Sequence, residues 1–74
     1  MPKLRVLSGK ETCKILAQHG SEKARQKGSH IIMQKQVGHS TITIPVPDHS
    51  ELKTGTLLGI IRQSELPRSL FETR

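Results

Sequence analysis

The chain contains no tryptophan and no tyrosine, and Phe71 is its only aromatic residue. Its core must therefore be built from Leu, Ile, Val, Met and Ala around that one ring. The same scarcity argues against a sheet that reads RNA by stacking bases on aromatic side chains. Recognition of nucleic acid by backbone and shape stays open. Cys13 is the only cysteine, which excludes an intramolecular disulfide and the tetrathiolate zinc patterns. It falls on the apolar face of a helix, where an inert, buried thiol is the expected state. The four histidines form no pair at i, i+4 spacing, and neither CxxC nor HxxxH occurs. No metal and no other cofactor is expected. Gly-rich phosphate loops and kinase or hydrolase signatures are missing too. No apolar run approaches the roughly 20 residues needed to span a bilayer, and the first residues lack the apolar h-region of a secretory signal. These absences point to a soluble, cytoplasmic protein with no membrane segment.

Acidic residues are also few, 6 against 12 Lys and Arg, for a formal charge of +6. In a chain of 74 residues that balance points to a polyanion or an acidic protein as partner. The basic residues concentrate between Lys23 and Lys35, which favours nucleic acid over a merely solvated basic surface. The length suits one domain over residues 1–74, burying only about 60% of its unfolded surface. A partner covering part of such a domain would add to its stability.

Residues 1–7 alternate weakly and form a lead-in, with Leu7 tucked onto the core. Ser8-Gly9-Lys10-Glu11 has the form of a capping box, and the helix it opens runs to about His19. Cys13, Leu16 and Ala17 form its inner face, with Ile15 at the margin. Gly20 stops it. Ser21–Gln26 is a strand because the next segment needs a pairing partner, and Lys27-Gly28 supplies the turn. His30–Lys35 is the second strand, and Lys35–Ser40 reads as a polar loop. Thr41–Val46 alternates, with Ile42, Ile44 and Val46 on one side. Pro45 cannot donate to a ladder, so this strand lies on an edge or ends there. After a loop, Thr54 caps a second helix from about Gly55 to Ser64, whose inner stripe is Leu57, Ile60, Ile61 and Ser64. Pro67 opens a short helical turn that returns Leu70 and Phe71 to the core. The expected fold is α+β: a small two-layer α-β-β-β-α domain with a three-stranded antiparallel sheet and a short C-terminal helical turn.

The chemistry concentrates at Arg25-Gln26-Lys27-Gly28-Ser29-His30. Gly28 takes positive φ without steric cost, so a tight turn delivers His30 to the first position of the returning strand. Imidazole exchanges protons near neutral pH, and Arg25 and Lys27 are placed to hold a phosphate. Ser29 either gives its hydroxyl or amide to that phosphate or serves only as a turn residue. Attack by an RNA 2′-hydroxyl on the adjacent phosphorus fits this set, because it needs a base, an acid and cations. One imidazole does not obviously perform both proton transfers. His49, after the third strand, is the candidate contributor, and a plain loop histidine is the competing reading. His19 and His39 are read as structural.

The chain resembles the HicA family of toxin ribonucleases from toxin–antitoxin pairs. The residues that carry the likeness are Ser8-Gly9-Lys10-Glu11, Arg25-Gln26-Lys27-Gly28-Ser29-His30, Ile44-Pro45-Val46, Gly55-Thr56-Leu57 and Ile60-Ile61-Arg62-Gln63. It covers about Ser8 to Phe71. The resemblance implies a double-stranded-RNA-binding-domain-like fold and metal-independent endonuclease cleavage of mRNA, with growth arrest as the result. It also implies neutralisation by a HicB-like antitoxin that covers the active site. The family's catalytic histidine corresponds to His30, and Arg25, Lys27, Gly28 and Ser29 are the expected RNA-binding set. Two departures stand out. Ser21 replaces the aromatic residue usual after Gly20, and Ser64-Glu65 replaces a helix-ending Ala-Gly. Both bear on stability before activity. Two other readings remain: a non-catalytic RNA- or DNA-binding module, and an inactive former toxin kept for partner binding.

Overall fold

The computed structural model describes residues 3–73. Met1 and Pro2 of the expected lead-in, and Arg74, lie outside the described residues. The order is α1 (Gly9–Gln18), β1 (Ser21–Lys27), β2 (His30–Val37), β3 (Ser40–Pro47), α2 (Thr54–Ser64) and a closing 3-10 turn (Arg68–Phe71). The three strands form one antiparallel sheet in the order β1-β2-β3. This is the expected α+β arrangement.

Helix α1 starts as its sequence dictates. The Ser8 hydroxyl accepts from the Glu11 amide at 3.0 Å, and the Glu11 carboxylate accepts from the Ser8 amide at 2.9 Å. The Ser8 amide, then its hydroxyl, lower the Glu11 carboxyl pKa below its ordinary range. Gly20, at φ +97, ends the turn after the helix. The inner face is rotated from the expected one. Thr12 and Leu16 are buried, Cys13 is half-buried and Ala17 is exposed. Thr12 tolerates burial because its hydroxyl donates to the Ser8 carbonyl at 2.9 Å.

The core fills one side of the sheet. Ile31 and Met33 of β2 and Ile44 and Val46 of β3 meet Leu16, Leu57, Ile60, Ile61, Leu7 and Phe71. Leu7 and the inner stripe of α2 are buried as expected, and Ile42 is half-buried. Pro45 lies on β3, an edge strand, where no ladder bond is lost.

Three local expectations are corrected. The segment 35–40 is not a loop: β2 continues to Val37, and only Gly38-His39 separates it from β3. Gly38 has φ +61, and glycine at the first central position of a two-residue turn closes such a hairpin. Thr54 does not cap α2. It is the first helical residue, preceded by Lys53, whose side chain makes no capping bond. Pro67 precedes the final turn instead of opening it.

The two departures noted in the sequence have physical costs. The Ser21 hydroxyl is buried with no hydrogen-bond partner among the described residues. Glu65 ends α2 at φ 59, a left-handed conformation that glycine takes without strain. Compensation comes from below it. The Lys35 ammonium donates to the Ser64 carbonyl at 3.0 Å, and the Ser64 hydroxyl donates to the Ile61 carbonyl at 2.8 Å.

Candidate active site on the open sheet face

Directly paired residues of antiparallel strands share a face, so register decides which side chains can meet. Ile31 is buried beneath the helices, and His30 therefore points to the helix-free face. His30 pairs with Lys27 on one side and Pro47 on the other. Arg25 pairs with Ile32, two positions along, and so shares that face with His30. All three candidate side chains are exposed.

This grouping depends on an irregularity. The β1–β2 register shifts between Lys23 and Arg25, so Ala24 is an extra residue that reverses the alternation. Were the same seven residues of β1 in unbroken alternation, Arg25 and Lys27 would lie on the side of Ser21 and Lys23. The basic stretch is thereby divided. Lys23 lines a groove against α1 with Lys10, Lys14 and Cys13, and Lys35 binds the C-terminal end of α2. Only Arg25 and Lys27 join His30. Cys13 itself has a raised thiol pKa, first from burial and then from the Asp48 charge, which suits an inert thiol.

The β1–β2 turn is Gly28-Ser29 and not the expected Lys27-Gly28: Lys27 still pairs with His30 as the last residue of β1, and Gly28 takes φ +59. The turn is anchored from behind. The Asp48 amide donates to the Ser29 carbonyl at 2.7 Å. The Gln26 side-chain amide donates to the Asp48 carboxylate at 3.3 Å and to the Gly28 carbonyl at 3.4 Å, both long contacts. The segment carrying Asp48 is held in turn by α1: the Gly9 amide donates to the His49 carbonyl at 2.9 Å, and the Leu52 amide to the Leu7 carbonyl at 2.8 Å. A Cβ on Gly9 would collide with the Pro47 carbonyl oxygen. Only glycine permits this approach. Sequence reasoning did not place Asp48 at the site and gave Gln26, within the Arg25–His30 stretch, no role, since the Gln26–Asp48 contact joins positions 22 residues apart.

His49 is exposed in the loop after β3, one residue beyond Asp48. Its backbone is fixed, but among the described residues no hydrogen bond joins either its imidazole or that of His30 to another group. His39 stands in the other hairpin, at the opposite end of β2, and His19 follows α1.

An open cleft of about 270 Å³ adjoins His30, lined by Pro45, Pro47, Gly55, Thr56, Gly59, Ile60 and Gln63. Gly55 stands in the first turn of α2 and Gly59 in its interior, where glycine costs about 1 kcal/mol relative to alanine. A Cβ at either position would meet nothing within 4 Å. A larger concavity, about 480 Å³, lies at the far end of the sheet, but its only charged lining residue is Glu22. It does not suit a phosphate. Among the described residues no group of three or more His, Cys, Asp or Glu side chains could hold a metal ion, and no helix is long and apolar enough to cross a membrane.

No curated protein and no solved structure matches the chain. A family model described as HicA toxin of bacterial toxin-antitoxin matches residues 9–66. That span includes nearly all of the capping box, both hairpins, the whole sheet and α2. The chain therefore belongs to the HicA toxin family, the toxin side of bacterial toxin–antitoxin pairs.

Proposed function

We propose that this HicA-family chain is an endoribonuclease that cleaves mRNA with His30 as general acid/base and needs no metal. Arg25 and Lys27 hold the non-bridging oxygens of the scissile phosphate, and Gly28-Ser29 fixes the turn that presents the imidazole. As base, His30 takes the proton of the 2′-hydroxyl as that oxygen attacks phosphorus. The bond to the 5′-oxygen breaks, leaving a cyclic 2′,3′-phosphate and a 5′-hydroxyl once the leaving oxygen is protonated. His49 is the candidate contributor for the second proton transfer. Cleavage of mRNA stops translation and growth until a HicB-like antitoxin binds and covers the site.

The observation that supports this reading is the shared face of His30, Lys27 and Arg25 on an anchored hairpin. A positioned histidine contributes about 10²–10⁴-fold as acid or base. The test is cleavage of RNA in EDTA by the wild type and by His30→Ala. The wild type is expected to cut and the variant to lose at least about 100-fold in rate. Equal cleavage by both removes His30 from the mechanism.

A second reading rests on the imidazoles of His30 and His49, which no hydrogen bond among the described residues orients. On that reading the chain binds RNA or DNA without cutting it, either as a binding module or as a former toxin kept for its partner. Salt-sensitive RNA binding with no cleavage and no growth arrest on expression would favour it.

A further inference from the structure

We propose that the cleft beside His30 is a nucleobase subsite, and that the chain therefore requires an unpaired nucleotide next to the bond it cuts. This rests on the endoribonuclease reading and adds the form of substrate to it.

The cleft runs from His30 over Pro45 and Pro47 to one face of α2. Gly55, Gly59 and Gln63 recur every four residues, so they lie along a single helical face. Gly59 is unfavourable in a helix interior, and among the described residues a Cβ at either glycine would meet nothing within 4 Å beyond its chain neighbours and its own helix backbone. The bare positions widen a cleft that His30, Pro45 and Pro47 line on the sheet side. The volume, about 270 Å³, is a little below the roughly 300–1,000 Å³ of pockets for drug-sized ligands. One planar group fits, and a base has flat apolar faces with a polar edge. Thr56 and Gln63 supply a hydroxyl and a side-chain amide at the rim. An amide can pair with a base edge through both its donor and its acceptor. A base enters such a slot only when it is splayed out of a strand, which duplex RNA does not allow. The slot thus supplies a flat reading surface in a chain with no aromatic side chain near the site.

The test compares wild type, Gly59→Leu and Gln63→Ala on a single-stranded RNA, its annealed duplex, and a version with abasic residues flanking the mapped cut. Wild type is expected to cut the single strand at least 10-fold faster than the duplex. Gly59→Leu should melt no lower than wild type yet cut the intact strand at least 10-fold more slowly, with the two equal on the abasic strand. Gln63→Ala should change the base preferred beside the cut, and it carries the same question should Gly59→Leu fail to fold. Wild-type rates for Gly59→Leu on the intact strand, or an equal loss on the abasic strand, overturn the subsite alone. The subsite also falls if Gly59→Leu loses only antitoxin binding, for then a protein segment occupies the cleft. A wild-type chain that cuts no RNA overturns the endoribonuclease reading as well.

Discussion

The sheet has two hairpins built to the same local plan. Gly28-Ser29 and Gly38-His39 are both two-residue turns, their glycines take nearly the same φ, +59 and +61, and each brings a histidine to the end of β2. Their surroundings differ. The first is bonded through Ser29 to Asp48 and so to the loop that α1 holds at Gly9. The second makes no backbone bond outside the sheet among the described residues. Arg25 and Lys27 flank His30, whereas His39 has Gln36 and Thr41 as its near neighbours along the paired strands. Turn chemistry alone does not make a reactive centre. Anchorage from behind and cations on the same face separate the two.

The sharpest way to break that contrast is to remove each imidazole. His30→Ala is expected to lower RNA cleavage by about 10²–10⁴-fold, and His39→Ala to leave it unchanged, as read from product formation on a gel. Gly9→Ala attacks the anchorage. Its methyl group would collide with the Pro47 carbonyl, and a loss of at least about 1–3 kcal/mol in stability is expected by urea unfolding. Gly28→Ala and Gly38→Ala should cost the two turns alike, about 1–2 kcal/mol each for a left-handed alanine. Only the Gly28 variant should also lose cleavage at temperatures where both are folded.

The smallest effect concerns the helix end that holds the anchoring loop. The Glu11 carboxyl pKa is lowered in the folded chain, so its contribution is present at neutral pH. It is lost as pH falls through the folded-state value. Glu11→Gln should therefore narrow its stability gap to the wild type on acidification, as measured by thermal melting across the carboxylate range.

What the sequence made legible was whatever a short window contains. The capping box at Ser8 and Glu11, the α2 stripe of Leu57, Ile60, Ile61 and Ser64, and the alternation of β3 all depend on near neighbours. Segment 35–40 misled because Gln34, Gln36 and Thr41 are polar on an open face, where strand pairing rather than burial sustains the ladder. The inner face of α1 was misplaced because Thr12 hides its hydroxyl in a bond to Ser8. At the candidate site, the Gly-Ser-His turn was visible, but Asp48 and the α2 wall of the cleft are brought in from distant positions. Gly55 and Gly59, two glycines one helical turn apart, were the signal that could have revealed that wall.

Ala24 carries a consequence for how this chain can change over time. A version lacking that one methyl-bearing residue would keep the same net charge and nearly the same composition. Its β1 would regain strict alternation, with Lys23 and Arg25 consecutive opposite Met33 and Ile32, and Arg25 and Lys27 would keep the face of His30. Loss of the Gln26 codon instead would draw Arg25 opposite Ile31 and turn its guanidinium toward the helices, which makes the spacing between Arg25 and the turn as much an inherited instruction as the histidine it serves.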